Sequence, residues 1–233
     1  MPGKLFIVAT PIGNPEDITF RAVKVLSESD FVICEDLKEA RRLLAYLKLQ
    51  KELITLNEHD EEENTPEIIE KIKNGANAAL ISDCGTPMFA DPGHTLLENA
   101  LSWGVKVVPI PGASSLTAAL SVSGLHTEKF YYAGWLPVKK DARAAELRRL
   151  SAVKEVIILL ETPYRLKSIL HDAGNAFGKG AQAVLAYDLT LPGEKVLRGS
   201  LSGILAEVVK NNLKGEFVLM IDNRASRKPS KKR

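Results

Sequence analysis

The first half of the chain alternates short, uniformly apolar runs with segments whose apolar residues recur at helical spacing. Each apolar run predicts a buried strand, and the runs are Leu5-Phe6-Ile7-Val8, Phe31-Val32-Ile33-Cys34, Leu53-Ile54-Thr55-Leu56, Ala78-Ala79-Leu80-Ile81 and residues 105–110. The intervening segments predict helices, including one over residues 17–26 capped by Asp17 and one that begins at Thr65 and Pro66. This repeated strand–helix unit predicts a parallel sheet that helices cover on both faces.

The pattern changes near Gly124. An aromatic, half-polar run at residues 130–134 is followed by further strands and helices, and Pro192-Gly193 separates two extended runs, which favours a partly antiparallel sheet. We therefore predict the α/β class with two α/β domains: a mostly parallel five-stranded sheet in residues 1–118 and a mixed sheet in residues 119–222. Residues 223–233 are predicted to form a disordered basic tail.

Composition narrows the class of protein without indicating a function. An apolar fraction of 45% and a charged fraction of 26% over 233 residues are typical of a soluble globular protein. No apolar run reaches the roughly 18 residues that a membrane span needs. The first strand follows Met1-Pro2-Gly3 directly, so we expect a cytoplasmic protein without a signal peptide or a membrane partner. The four histidines and two cysteines lack metal-binding spacing, so no metal is expected.

Charge is distributed unevenly along the chain. Residues 223–233 contain six Lys or Arg and no acid, which leaves 25 basic against 29 acidic residues in the rest of the protein. A tail of this kind can bind a phosphate backbone electrostatically, and it can equally serve only to keep the protein in solution.

Segments rich in Gly, Pro, Asp and Ser follow the five predicted strands of the first half. The most distinctive is Ser82-Asp83-Cys84-Gly85-Thr86-Pro87, closed by Asp91-Pro92-Gly93; the others begin at Thr10, Glu35, Asn57 and Pro111. Open parallel sheets bind ligands at the loops that leave the carboxyl ends of strands. Each loop alone can be an ordinary turn, but together they predict one pocket for a small polar ligand. P-loop, dinucleotide-binding and nucleophile-elbow motifs are absent from the sequence.

These loops, with further stretches in the same order and at matching spacing, carry a resemblance to a known family. The chain is similar to the tetrapyrrole-methylase superfamily and, within it, to the ribosomal RNA small-subunit methyltransferase I family. The resemblance extends from Leu5 to about Asp222. It rests on Thr10-Pro11-Ile12-Gly13-Asn14, Glu35-Asp36, the Asp83 loop, Pro109-Ile110-Pro111-Gly112, Gly134-Trp135-Leu136-Pro137, Glu161-Thr162-Pro163-Tyr164-Arg165-Leu166 and Gly215-Glu216-Phe217.

The resemblance implies a fold, a cofactor and a reaction. It implies two α/β domains with S-adenosylmethionine in the cleft between them, a homodimer, and 2′-O-methylation of a cytidine in the decoding region of 16S rRNA, either free or in the small ribosomal subunit. By position, it places cofactor contacts at Ile12, Asp83, Gly85, Thr86, Ser114 and Ser115 in the first domain and near Ala186 and Glu216 in the second.

The sequence departs from this family on its substrate side. Where members of the family usually have Glu-Asp-Thr-Arg, this chain has Glu35-Asp36-Leu37-Lys38. Asp188 lies in a segment whose usual sequence in the family is Arg-Glu-Leu-Thr-Lys. Two other functions therefore stay open: C-methylation of a tetrapyrrole by a precorrin-type enzyme, and RNA binding without catalysis.

Methyl transfer to a ribose oxygen benefits from a general base, because the hydroxyl ionises far above neutral pH. The candidates are Asp36, Glu35 and His59. Asp36 is the first choice because it follows a strand end, although the same residue can instead cap the next helix.

Substrate contacts are predicted from charge and aromaticity. Asn14 is a candidate to orient the ribose. Arg21, Lys38 and Arg165 are candidates to hold phosphates, and a second basic face is predicted at Arg143, Arg148 and Arg149. Candidates to stack on bases are Trp135, Tyr131 and Tyr132.

Overall fold

The computed structural model describes residues 2–57, 60–89 and 92–224, and the chain divides into two compact units, Met1–Ser114 and Ser115–Arg233. The sequence predicted a boundary after residue 118. The division comes earlier because the helix Ser115–Ser123 packs against strands of the second unit.

The first unit is built around a five-stranded sheet. Its strands are β1 (Lys4–Val8), β2 (Phe31–Cys34), β3 (Glu52–Thr55), β4 (Ala78–Leu80) and β5 (Lys106–Ile110). Its helices are α1 (Phe20–Glu28), α2 (Leu37–Tyr46), α3 (Glu61–Lys73) and α4 (His94–Ser102). The strand order is β3-β2-β4-β1-β5 and every pairing is parallel. The predicted parallel sheet is confirmed.

Helices cover both faces of this sheet, because neighbouring residues of each strand point to opposite sides. On one face, Phe31 and Ile33 pack with Ile68, Ile72 and Leu96 of α3 and α4. On the other face, the alternate strand residues pack with α1 and α2; this second cluster includes Val8, Val32, Ala22, Leu26 and Ala40. Burial on both faces explains why the central strands β2 and β4 are entirely apolar, whereas the edge strands β3 and β5 are partly exposed and include Glu52, Thr55 and Lys106.

Two helix starts in the first unit differ from the prediction. Helix α1 begins at Phe20 rather than at residue 17, because the Thr19 hydroxyl accepts a hydrogen bond from the Ala22 N–H, and Asp17 lies in a preceding 3₁₀ turn. Helix α3 begins at Glu61 and runs through Pro66. Its first turn, Glu61-Glu62-Glu63, is acidic, which favours a helix start at that place.

The second unit contains a mixed sheet, as predicted. Its strands are β6 (Phe130–Gly134), β7 (Val156–Glu161), β8 (Gln182–Tyr187), β9 (Lys195–Ser200) and β10 (Phe217–Asp222). Its helices are α5 (Ser115–Ser123), α6 (Lys140–Ser151), α7 (Leu166–Phe177) and α8 (Leu201–Lys210). The strand order is β6-β7-β10-β8-β9; β6 and β7 are parallel, and the other pairs are antiparallel.

The predicted disordered tail does not begin at Asn223. The Asn223 amide donates to the backbone oxygens of Ser151 and Val153, and the Arg224 guanidinium pairs with Asp222 at 2.7 Å. These contacts hold Asn223 and Arg224 in place beyond the end of β10. Residues 225–233, which carry most of the basic charge of the predicted tail, lie outside the described residues.

Candidate functional site

Four loops of the first unit meet at the carboxyl edge of its parallel sheet. The backbone of Thr10, after β1, exchanges two hydrogen bonds with Gly85, after β4, at 2.8 and 3.2 Å. The Thr86 hydroxyl donates to the Ala113 carbonyl at 3.0 Å, which joins the loop after β5. The Asp36 N–H, after β2, donates to Asp83 Oδ1 at 3.1 Å. The predicted convergence is confirmed for these four loops; the fifth, after β3, contains Glu58 and His59, which lie outside the described residues.

Gly85 lies where three of these loops come closest together. Its φ angle is +80°, and a Cβ at this position would lie 3.3 Å from Ile12 Cγ2 and 3.8 Å from the Ala113 carbonyl oxygen. A residue with a side chain would be strained by the backbone angle and would press on Ile12. Glycine at this position therefore allows the loops after β1, β4 and β5 to pack closely together.

The rim of this site is acidic. Asp83 is exposed at its entrance, and partial desolvation raises the pKa of its carboxyl; the hydrogen bond from the Asp36 N–H opposes that shift, while the charges of Asp36 and Glu39 add to it. Beneath the rim, burial raises the pKa of the Cys34 thiol to about 11, with further contributions from Asp83 and Asp36. Closely spaced carboxylates of this kind attract a cationic ligand.

Among the predicted bases, Asp36 has a defined structural role. Its Oδ1 accepts a hydrogen bond from the Lys38 N–H at 2.6 Å and caps α2, so the capping alternative is confirmed. The side chain remains exposed, and Glu35 is half-buried beside it. His59 lies outside the described residues. The assignment of the general base stays a prediction.

The predicted substrate residues of the first unit lie on its surface near the same edge. Asn14 is half-buried and accepts a hydrogen bond from the Glu16 N–H at 3.0 Å, which caps the 3₁₀ turn Pro15–Asp17. Arg21 and Lys38 are exposed near the starts of α1 and α2. The predicted contacts Ser114 and Ser115 are half-buried at the start of α5.

The second unit also has a sheet edge at which several strands end. Strands β7 and β8 both pair antiparallel with β10, and β6 pairs parallel with β7. The ends of β6, β7 and β8 therefore lie beside the start of β10, next to Glu216. Burial and the nearby charge of Asp188 raise the pKa of the Glu216 carboxyl. The other predicted contact, Ala186, has no exposed surface, so a cofactor cannot touch it in this conformation.

Gly215 packs closely against its neighbour Asp188 at this second edge. A Cβ on Gly215 would overlap the Asp188 carboxylate. The Asp188 backbone has a φ of +45° and its N–H donates to the Glu216 carbonyl at 2.8 Å, so the carboxylate would have to rotate away from the new Cβ. We expect Gly215→Ala to lower the free energy of unfolding by about 1–3 kcal/mol, a typical cost of overpacking. Urea denaturation measures this difference.

A second substitution tests that reason. Asp188→Gly removes the carboxylate and suits the positive φ. In the Asp188→Gly background, Gly215→Ala is therefore expected to lower the free energy of unfolding by less than about 0.5 kcal/mol. Differences of that size are within the error of a double-mutant cycle. An equal cost in both backgrounds would contradict the overlap as its cause.

Arg165, predicted as a phosphate contact, and Arg143, predicted as part of a second basic face, both bind groups within the protein. Arg165 pairs with the buried Glu161 at 3.0 Å and donates to the carbonyl oxygens of Leu136 and Pro137 at 3.0 and 2.9 Å. Arg143 is 9% exposed, pairs with Asp172 at 2.8 Å and donates to the Val138 carbonyl. The donors of both guanidiniums are directed inward, so we remove these residues from the candidate RNA contacts.

Sequence reasoning missed this buried network around residues 136–138. Glu161 accepts hydrogen bonds from the Leu136 N–H at 3.1 Å and from the Thr162 N–H at 3.4 Å, and its side chain has no exposed surface. The one sequence signal was an acid ending the apolar strand Val156–Glu161, followed four residues later by an arginine. The network fixes the path of the chain immediately after Trp135.

Within residues 2–57, 60–89 and 92–224, the structure contains no cluster of three or more His, Cys, Asp or Glu side chains suited to a metal ion. In the same part of the chain, each helix is too short or too polar to cross a bilayer.

Comparison with known proteins identifies the family. The model of the Tetrapyrrole (Corrin/Porphyrin) Methylases family matches residues 4–205. The chain is 39% identical over 232 residues to the Ribosomal RNA small subunit methyltransferase I of Xylella fastidiosa, covering 99% of this chain and 85% of that protein. It is 37% identical over 220 residues to the protein of the same name from Halalkalibacterium halodurans, covering 94% and 76%.

A solved structure shares the fold at lower identity. The uroporphyrin-III C-methyltransferase of Thermus thermophilus, crystallised with S-adenyl homocysteine, matches with a TM-score of 0.66 and 20% identity over 94% of this chain and 97% of that one. The chain therefore belongs to the tetrapyrrole methylase family and, within it, to the ribosomal RNA small-subunit methyltransferase I family.

Proposed function

We propose that this protein transfers a methyl group from S-adenosylmethionine to the ribose 2′-oxygen of a cytidine in the decoding region of 16S rRNA. The cofactor assignment is carried by the carboxyl edge of the first unit, where the loop of Asp83, Gly85 and Thr86 contacts the loops that follow β1, β2 and β5. The RNA assignment is supported by relatives named Ribosomal RNA small subunit methyltransferase I, which are 34–39% identical to this chain over nearly its whole length.

The residues at this edge suit the chemistry of the cofactor. S-adenosylmethionine supplies an electrophilic methyl on a cationic sulfonium, together with an ammonium, a ribose diol and an adenine. The acidic rim at Asp83 attracts the cation and accepts hydrogen bonds, and Ile12 offers a half-buried apolar surface. Ser114 and Ser115 add hydroxyls, and the backbone beside Gly85 allows close approach.

The chain also offers groups for proton removal from the substrate. A general base contributes about 10²–10⁴ in rate. Asp36 is the first candidate, because it follows the end of β2 at the carboxyl edge and its side chain stays exposed while it caps α2. Glu35 and His59 are the other candidates, Asn14 is proposed to orient the ribose, and Arg21 and Lys38 are proposed to contact phosphates.

The tetrapyrrole alternative is less well supported than the RNA substrate. The solved uroporphyrin-III enzyme is only 20% identical to this chain, and a match at that level supports a shared fold but not a shared substrate. The rRNA relatives match at nearly twice that identity over 94–99% of the chain. The retained Asp83 loop favours an active enzyme over a silent RNA-binding homologue.

Mapping of ribose methyl groups tests the proposal. We expect the purified protein to methylate one cytidine ribose in the decoding region of 16S rRNA, presented free or in small subunits from a strain that lacks the gene. Mass spectrometry of nuclease fragments locates the methyl group. Heat of S-adenosylmethionine binding without any methylated nucleotide would refute the RNA substrate, and no heat at all would point to a silent homologue.

Two further expectations accompany this function. A homodimer is proposed from the family resemblance, and sedimentation equilibrium measures the mass of the assembly. A cytoplasmic location is proposed because the ribosomal substrate is there.

A further inference from the structure

We propose that an exposed apolar face on the second unit, made of Trp135, Val138 and Tyr164, binds a single-stranded segment of the RNA. The bases of that segment stack on the two aromatic rings. The inference rests on the proposed rRNA substrate and assigns it a contact surface whose residues differ from the predicted cofactor contacts, although Glu216 lies at the same edge of the second sheet.

The three side chains are unusually exposed for apolar groups. Tyr164 is 97% exposed, Val138 is 82% exposed and Trp135 is 49% exposed. Single exposed apolar residues are common on protein surfaces, but contiguous ones mark interaction sites. These three lie on two segments that follow β6 and β7, and those strands are parallel and adjacent, so both segments leave the same edge of the sheet.

Hydrogen bonds join the two segments directly. Arg165, next to Tyr164, donates to the carbonyl oxygens of Leu136 and Pro137, and Glu161 accepts from the Leu136 N–H. Trp135 and Tyr164 therefore project from backbone that a buried ion pair holds in place. A rigid platform loses little conformational entropy when a flexible strand binds to it.

The charges around the face select the partner. The two arginines beneath it are neutralised by Glu161 and Asp172. Lys139 and Lys140, directly after Val138, are exposed and form no ion pair within the part of the chain that the structure describes. Aromatic side chains beside free cations match the bases and phosphates of single-stranded RNA, whereas an apolar protein partner would leave both lysines without a counter-charge.

Truncation of the aromatic side chains tests the inference. We expect Trp135→Ala and Tyr164→Ala each to raise the KM for 16S rRNA or small subunits by about 10- to 100-fold, the range of one lost base stack. The kcat at saturating RNA and the calorimetric affinity for S-adenosylmethionine should stay at the wild-type values. Trp135→Phe and Tyr164→Phe keep an aromatic ring and are expected to recover most of the affinity.

Matched controls come from the first unit. Trp103 and Tyr46 are also exposed, at 58% and 50%, but lie outside the proposed face, so Trp103→Ala and Tyr46→Ala are expected to leave the KM for RNA unchanged. Wild-type protein that binds S-adenosylmethionine but methylates no RNA would refute the proposed function itself.

Two outcomes would overturn the stacking surface alone. One is an active wild type whose Trp135→Ala and Tyr164→Ala variants keep the wild-type KM for RNA. The other is conversion of a dimer to monomers by these variants in sedimentation, which would make the face a contact between copies of this chain.

Discussion

Replacing Asp83 with alanine is expected to weaken S-adenosylmethionine binding by about 10- to 100-fold while the apoprotein stays folded. A hydrogen bond to a charged group contributes about 1.5–3 kcal/mol, and about 1.4 kcal/mol corresponds to a tenfold change in affinity. In the free protein the carboxylate is held near Asp36 and Glu39, and its pKa is raised. Isothermal titration calorimetry measures the affinity, and thermal unfolding without cofactor measures the stability.

The raised pKa of Asp83 predicts how Asp83→Ala changes the stability of the apoprotein, apart from its effect on cofactor binding. A carboxyl whose pKa is higher in the folded than in the unfolded protein stabilises the fold only when protonated, and that contribution is lost as pH rises through the folded pKa. At neutral pH the ionised Asp83 therefore slightly destabilises the apoprotein, so Asp83→Ala should leave the unfolding temperature unchanged or higher. A clear loss of stability would indicate that Asp83 is a structural residue.

Asp83→Asn distinguishes the charge from the hydrogen bond. The amide oxygen can still accept from the Asp36 N–H, but the negative charge is gone. We expect cofactor affinity to fall in this variant as well and to lose its pH dependence. In the wild type, affinity should fall on acidification at a pH above the ordinary Asp value of 3.8, because protonation removes the charge.

Asp30 supplies the matched control for Asp83. It lies at the opposite, amino edge of the same sheet, where its Oδ2 accepts from the Asn77 N–H at 2.7 Å. Asp30→Ala is expected to leave cofactor affinity unchanged. Equal losses of affinity in Asp30→Ala and Asp83→Ala would show that the carboxyl edge is not the binding site.

The largest loss of stability is expected from Glu161→Ala, at about 3–5 kcal/mol of the free energy of unfolding. The substitution removes the carboxylate that pairs with Arg165 at 3.0 Å and leaves the Leu136 N–H without an acceptor. Breaking a buried ion pair from one side is costly because the remaining charge stays in a poorly solvated place. Urea denaturation followed by circular dichroism measures the change.

Two comparisons make this test specific. Glu161→Gln keeps an acceptor for the Leu136 N–H and is expected to cost clearly less than Glu161→Ala. Glu39→Ala removes an acid from an exposed pair with Arg42 at 3.5 Å and is expected to cost under about 0.5 kcal/mol. A Glu161→Ala variant as stable as Glu39→Ala would contradict a structural role for the buried pair.

Local patterns in the sequence were sufficient to predict the parallel sheet and to predict that its loops meet at one edge. Five uniformly apolar runs separated by helices leave few alternatives to a sheet covered on both faces, and parallel strands bring their carboxyl ends to one edge. The helix starts were less accurate. Thr19 rather than Asp17 caps α1, because several polar residues near one another can each supply the acceptor.

The roles of the charged side chains could not be predicted in the same way. Arg143 and Arg165 were taken as surface cations, yet they bind Asp172 and Glu161 beneath residues 136–138. Asp172 lies 29 residues from Arg143 along the chain, and no local pattern connects the two. Ala186, predicted to touch the cofactor, is fully buried because it lies within a strand of the second sheet.

The sequence by itself determined the order of the elements, the direction of the first sheet and the loop in which Asp83 lies, because these depend on apolar periodicity and on turn residues that act over a few positions. Only the tertiary structure decided which arginines are neutralised and which aromatic residues remain exposed. Those properties depend on contacts between residues that are distant in the chain, and such contacts exist only once the sheets and helices have packed.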